Sequence, residues 1–369
     1  MKNVVLTYAG DRSGALYDIL NRHGIQVHAY TDKEKAFSRT QTGHFISSVE
    51  TARLLEEGLA DHVIISGRLF IDQAEKLAEE FYTLGVDPDK VLAATPRYYL
   101  SEDEKDIIRF KDYHCLHFLE FHAADHCNLN CSGCTHFSPL VPGEVFPDPD
   151  ALRQDLTQLR KVVEYIDKIH ILGGEPLLNR QLDLYLDMVR EFYPFSTIEV
   201  HTNGTLLNQM PDRLVESFLR NDINIFVTLY PPMYKSIEKI MKAAADKGLN
   251  VRYYTLSKFS RIFDVNGGHS AGVRQLSCRF PNLYQGKLYP CPSIAYVRYF
   301  NDAFDQNISS TEGAVDLYQD IDFDTLKREL HKVRSICDHC LFISKDHEIT
   351  GDWELSCGRK LIGDYVYGL

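Results

Sequence analysis

Cys127, Cys131 and Cys134 stand in a CxxxCxxC arrangement on one short stretch, directly after an apolar run at 116–121. Thiolates this close together on a loop can hold three irons of a cubic 4Fe–4S cluster. The fourth iron then has no protein ligand, and an open iron is a place to bind and activate a molecule. Two plainer readings compete, a zinc loop and three unrelated core cysteines. Structural zinc usually takes four protein ligands, often as CxxC pairs, and this loop supplies three.

A second group of thiols lies toward the C-terminus: Cys278, Cys291, and the CxxC pair Cys337 and Cys340. Gly286, between the first two, reads as the turn of a hairpin with Leu288 and Tyr289 on its return strand. Two thiols flanking a hairpin and two from a CxxC can ligate a further 4Fe–4S cube completely. Zinc suits four thiolates equally well. Cys115 and Cys357 are left over; Cys115 reads as a core residue.

With a second motif the chain resembles a known family. CxxxCxxC after a strand, followed by Gly173-Gly174-Glu175-Pro176 after the apolar run 169–172, resembles the signature of radical S-adenosylmethionine (SAM) enzymes. The resemblance implies that the open iron binds SAM, and that reductive cleavage gives a 5′-deoxyadenosyl radical that abstracts hydrogen from a substrate. It implies that the Gly173–Gly174 backbone, Glu175 and Pro176 hold the SAM amino end, and that Thr202 and Asn203 of a TNG-like segment contact SAM. The residue before the third cysteine is usually aromatic in this family; here it is Gly133, so either His136 or Phe137 would seat the adenine, or the adenine is held elsewhere. The C-terminal cysteines resemble the SPASM/twitch extension in its shorter, one-cluster form, since Asp346 and Thr350 stand where further SPASM cysteines would fall. Cys357 could donate a hydrogen atom to a substrate radical, as a cysteine does in twitch-type sugar epimerases, or be an alternative cluster ligand, or be inert. The implied reductant is of flavodoxin or ferredoxin type.

The bulk properties bound the partners. The chain has 369 residues, 44% hydrophobic and 25% charged, enough for two or three domains with ample core. A net charge of −12 argues against a nucleic-acid partner, which calls for a basic face. No apolar stretch approaches a membrane span, and the N-terminal apolar run is too short for a signal peptide. Nine cysteines, an odd number grouped at metal spacings, fit a reducing cytoplasm better than a disulfide framework.

The elements that must position these residues follow an α/β alternation. In the first hundred residues, strands are expected at 4–8, 25–30 and 62–66, and helices from Ala15, at 49–57 and at 71–84. A strand, a turn with Gly10 and Gly14, a helix, and a strand ending at Asp32 look Rossmann-like, with an incomplete glycine motif. This part also resembles the sugar-nucleotide-binding domains of some bacterial sugar acyltransferases. Residues 101–105 read as a linker. Strands are then expected at 116–121, 168–172, 197–201, 223–229 and 250–255, with amphipathic helices between them. The expected architecture is an N-terminal Rossmann-like domain (1–100), a partial (β/α)6 barrel (112–260) and a small cysteine-rich extension (261–369). Cys127, Gly173, Thr202 and Tyr230 each follow a strand, and the carboxyl ends of barrel strands form the active-site face. His201 there could act as a substrate acid or base, and Tyr230 could line the cavity.

The acidic surface and the Rossmann-like front favour a carbohydrate or nucleotide-linked small molecule, oxidised or epimerised. The rivals are a peptide-modifying maturase and a non-enzymatic iron–sulfur or zinc protein. A maturase often carries a winged-helix domain, which the βαβ front does not resemble.

Overall fold

The computed structural model describes residues 1–7, 11–31, 45–66, 71–268, 280–341 and 350–368. The chain divides into two compact units, residues 1–117 with 163–167, and residues 118–162 with 168–369. Gly10, Asp32, Cys278 and Asp346 lie outside the described residues.

The first unit is built on β1 (Asn3–Thr7), α1 (Asp11–Arg22), β2 (Gln26–Thr31), β3 (Phe45–Ile46), α2 (Ser48–Glu56), β4 (His62–Ser66), α3 (Ile71–Thr83), β5 (Val91–Ala94), α4 (Tyr98–Ser101) and β6 (Ile107–Arg109). Its sheet runs β3-β2-β1-β4-β5-β6, parallel except for the last pair. Val4, Val5, Leu6, Val63, Ile64 and Ile65 are all completely buried, as strands covered on both faces require. One hydrophobic cluster joins Leu16, Ile19 and Leu20 of α1 to one side; another joins Leu54, Leu77 and Phe81 to the other. The stretch 101–105 does not separate two units, because β6, which follows it, is the antiparallel edge of this sheet. Cys115 is buried beside Ala93 and Tyr113, and burial pushes its thiol up to about 12.

The second sheet begins with β7 (Cys115–Ala124), then α5 (Pro149–Val162), β8 (Tyr165–Gly173), α6 (Leu182–Phe192), β9 (Thr197–Thr202), α7 (Asp212–Arg220), β10 (Asn224–Leu229), α8 (Ile237–Asp246) and β11 (Val251–Thr255). Short strands β12 (Lys258–Ser260), β13 (Phe263–Asp264), β14 (Asn282–Tyr284) and β15 (Lys287–Tyr289) follow. The chain ends with α9 (Pro292–Phe304), β16 (Val315–Asp316), α10 (Phe323–His331), α11 (Ser335–Asp338), β17 (Thr350–Asp352) and β18 (Val366–Tyr367). The strand order is β11-β10-β9-β8-β7-β14-β15-β16.

The expected (β/α)6 barrel is therefore corrected among the described residues. Five strands, β7 to β11, follow one another through helical crossovers. After β11 the chain passes into β12 without a helix, so the sixth unit does not form there. The next parallel strand is β14, which joins the opposite edge beside β7 through Asn282 and Glu120. The 286 turn forms as expected: Gln285 and Gly286 both have positive φ, 49° and 75°, which a two-residue hairpin turn of this hand requires. Among the described residues no helix is long and apolar enough to cross a membrane.

Candidate active site

β7 delivers the chain directly into the CxxxCxxC loop. Cys127, Cys131 and Cys134 all line one cavity of about 500 Å³ on the inner face of the β7–β11 sheet. The loop is held from below by the C-terminal segment: Ser132 N–H donates to Glu354 O and Ser356 N–H to Asn130 O, each at 2.9 Å. Burial pushes the Cys127 thiol up to about 12 and raises those of Cys131 and Cys134 as well. Several thiols buried round one space ionise only if a cation joins them. That is the donor set a cluster with three protein ligands needs, so the residues fit a 4Fe–4S cube.

Gly173 and Gly174 close in on the same loop. Gly174 N–H donates to Ala124 O at 2.8 Å and Glu175 N–H to His126 O at 3.1 Å. A Cβ on Gly173 would lie 2.0 Å from Ala124 O, and one on Gly174 2.2 Å from His126 O, so only glycine lets the two strand ends meet. Their backbone lines the cavity; Glu175 does not. Its carboxylate is completely buried and accepts from Thr202 Oγ1 at 2.7 Å, Asn203 N at 2.8 Å and Leu177 N at 3.0 Å. Burial lifts its pKa to about 7 against those hydrogen bonds. Glu175 thus ties the end of β8 to the end of β9, and the buried Pro176 continues the turn.

The end of β9 reaches back to the cysteine loop. Asn203 Nδ2 donates to Asn128 Oδ1 at 2.9 Å and lies 3.7 Å from Cys127 Sγ. Asn128 Nδ2 donates to Thr205 Oγ1 at 2.8 Å, which in turn donates to Asn203 Oδ1 at 2.6 Å. Thr202 and Asn203 both line the cavity.

The remaining wall mixes apolar residues, among them Leu172, Phe259 and Phe280, with polar side chains. Glu120 of β7, His170 of β8 and His201 of β9 line it with His136, which follows the cysteine loop. A buried chain stands behind His136. Its Nδ1 is 2.9 Å from His122 Nε2, and His122 Nδ1 is 2.8 Å from Asp125 Oδ1. Tyr299 donates to Asp125 Oδ2 at 2.5 Å, and His122 stacks on Tyr296 at 3.6 Å between centroids. Burial opposes ionisation of Asp125, but the hydrogen bonds from His122 and Tyr299 hold its carboxyl below the usual range. Burial holds His136 down at about 3 and lowers His201, so both rings are neutral near pH 7. Tyr230 lines the cavity, stacked between Phe259 and Trp353 at 5.9 and 5.7 Å.

Five of the remaining expected residues fall elsewhere. Phe137 is completely buried in the core among Phe263, Phe300 and Tyr365, so His136, not Phe137, faces the cavity. The Phe137 backbone is left-handed, with φ of 56°. Cys357 is exposed and is not among the cavity-lining residues. Pro290, Cys291, Cys337 and Cys340 line a separate, smaller cavity of about 50 Å³. Those three thiols are brought together by the start of α9 and by α11; Cys278 lies outside the described residues.

Sequence reasoning missed Glu120, His122, Asp125, His170, Glu199 and Trp353. Glu120 and His122, and His170 with Leu172, alternate along their strands, and that alternation was the available signal for an inward polar face. Nothing in the sequence indicated which polar residues of different strands meet.

Residues 123–257 match the family model of the radical SAM superfamily. The chain is 28% identical over 152 residues to a GTP 3′,8-cyclase of Campylobacter curvus, covering 38% of this chain and 46% of that protein. It is 32% identical over 111 residues to a GTP 3′,8-cyclase of Aliarcobacter butzleri, covering 29% and 33%. The chain thus spans less than half the length of these curated relatives. Among solved structures it is similar to BtrN in complex with AdoMet and 2-DOIA, with a TM-score of 0.39 and 19% identity over 62% of this chain and 94% of that one.

Proposed function

We propose that the protein is a radical SAM enzyme that abstracts hydrogen from a carbohydrate or nucleotide-linked small molecule, leading to oxidation or epimerisation. One observation carries this reading. Cys127, Cys131 and Cys134 open on the same cavity as His136, His170, His201 and Glu120, and its volume of about 500 Å³ suits a small ligand. A wall carrying imidazoles and a carboxyl group favours a hydroxyl-rich molecule, whose donors and acceptors it can pair.

The Cys127, Cys131 and Cys134 thiolates would hold the cluster, and the backbone of Gly173 and Gly174 with Thr202 and Asn203 would border SAM. When bound, these groups supply one electron and the 5′-deoxyadenosyl carbon that takes a hydrogen atom. The protein's own part is positional and protonic. Asp125 fixes the proton of His122 on Nδ1, so His122 Nε2 accepts from His136 Nδ1–H. That tautomer leaves His136 Nε2 with a free lone pair, on a residue that lines the cavity. A substrate hydroxyl proton passing to this nitrogen while hydrogen leaves the adjacent carbon makes oxidation to a carbonyl possible. Cys291, Cys337 and Cys340, with Cys278, would hold a second cluster able to accept the remaining electron. The N-terminal unit, by its strand order, is suited to a nucleotide-linked group. The curated relatives carry the name of a GTP cyclase, and a free nucleotide is the second reading of the substrate.

Anaerobic reconstitution tests the chemistry. About eight irons per chain and release of 5′-deoxyadenosine from SAM by the reduced protein are expected. No 5′-deoxyadenosine would sink the reading. Calorimetry with nucleotide-sugars and GTP separates the substrate classes; a protein that binds GTP alone takes the second.

A further inference from the structure

We propose that His170, Glu199 and His201 form a binding site for a divalent transition-metal ion of the zinc type, distinct from the cysteine sites. The residues come from two neighbouring strands, where His170 of β8 pairs with Glu199 of β9, and His201 lies two residues further on the same face. Glu199 Oε2 is 3.2 Å from His170 Nε2 and 3.5 Å from His201 Nε2. All three candidate ligand atoms lie within 4.8 Å of one another. Ligands about 2.0–2.1 Å from a tetrahedral zinc stand roughly 3.3–3.4 Å apart, and the two edges at Glu199 Oε2, 3.2 and 3.5 Å, lie close to that spacing.

The surroundings prepare these atoms for an ion. His170 is only 9% exposed, and the Nε2 atoms of both histidines are buried without a properly oriented hydrogen-bond partner. Glu199 turns its other oxygen, Oε1, to Arg252 at 2.5 Å and Lys168 at 3.9 Å, which leaves Oε2 for the ion. On the far side of the His170 ring, Nδ1 lies 3.5 Å from Glu120 Oε1, the carboxylate–histidine arrangement that orients a metal-binding imidazole. Three protein ligands leave a fourth position, and both histidines line the large cavity. The ligand expected in that position is an oxygen donor, a water or a substrate hydroxyl or carbonyl. The geometry uses no atom of the cysteine loop, but it shares His170 and His201 with the cavity wall on which the proposed function rests; zinc and iron are counted separately, so the failure of one reading is told from the failure of the other.

Holoprotein with its iron–sulfur sites reconstituted would be dialysed against zinc alone, and metals counted by mass spectrometry. About one zinc per chain beyond the iron is expected, with X-ray absorption showing only nitrogen and oxygen neighbours near 2.0–2.1 Å. His201→Ala and Glu199→Gln should each weaken zinc binding at least about tenfold with iron content unchanged, since losing one of three ligands removes a large part of the site's affinity. If His201→Ala also lowers the iron content, His201→Gln carries the comparison. No retained zinc, sulfur neighbours near about 2.3 Å, or zinc retained undiminished when His201→Ala and Glu199→Gln are combined would overturn the site and leave a plain ion-pair network.

Discussion

Gly133 faces the main-chain carbonyl of Asp364 so closely that a Cβ on it would lie 2.7 Å from that oxygen. The position is also left-handed, with φ of 69°. The C-terminal segment therefore fills the space beside the cysteine loop that a side chain at 133 would take. The aromatic residue that the family resemblance leads one to expect at this position has no room there.

Gly133→Ala should destabilise the protein by about 1–3 kcal/mol, from strained backbone and a contact that backbone must relieve. Thermal unfolding measures the loss, and faster proteolysis of the C-terminal segment locates it. Unchanged stability would mean that the segment does not pack there.

Glu175 should make stability depend on pH. Burial raises its pKa in the folded protein from 4.5 to about 7. Between those values the folded state holds a proton that the unfolded state has lost, so stability falls as pH rises. The contribution is fully present below about 4.5 and is lost as pH passes through about 7, of order 3 kcal/mol in all. Glu175→Gln should flatten that slope in denaturant titrations at pH 5, 6, 7 and 8. An equal slope in the variant would assign it to another group.

Cys337→Ala should separate the two cysteine sites. Iron should fall from about eight to about four per chain while SAM cleavage by the reduced protein persists. Loss of cleavage in parallel with the iron would make the two sites one functional unit. A wild-type chain with about four irons and one zinc would assign the C-terminal thiols to zinc.

Phe137→Leu tests core against cofactor. A completely buried ring among Phe263, Phe300 and Tyr365 predicts destabilisation of about 1–2 kcal/mol, since the smaller chain leaves part of the space unfilled. SAM affinity measured by calorimetry on folded protein should stay within about twofold. A tenfold loss of affinity at unchanged stability would restore Phe137 to the adenine site.

Much of the frame was legible in the chain because it depends on local periodicity. The runs at 168–172 and 197–201 became β8 and β9. The glycines at 173 and 174 are expected at the SAM amino end; in the structure their backbone closes on that of Ala124 and His126. Glu175 was read as a ligand-facing acid. Its carboxylate instead fastens Thr202 and Asn203, a use visible only when two strand ends lie side by side. The sixth barrel unit was expected from repetition, and the described chain after β11 turns into short strands.

The sequence by itself determined which atoms are available: three thiols on one loop, a double glycine, and an asparagine behind a strand. Spacing along a chain settles such matters, because each depends on neighbours a few residues away. Tertiary structure alone decided which of them meet. Strand register set His170 beside Glu199, core packing took Phe137 inward and left His136 at the cavity, and the distant C-terminal segment came to rest against Gly133. These are contacts between residues remote in sequence, chosen by packing and burial over the whole unit, and no local pattern encodes them.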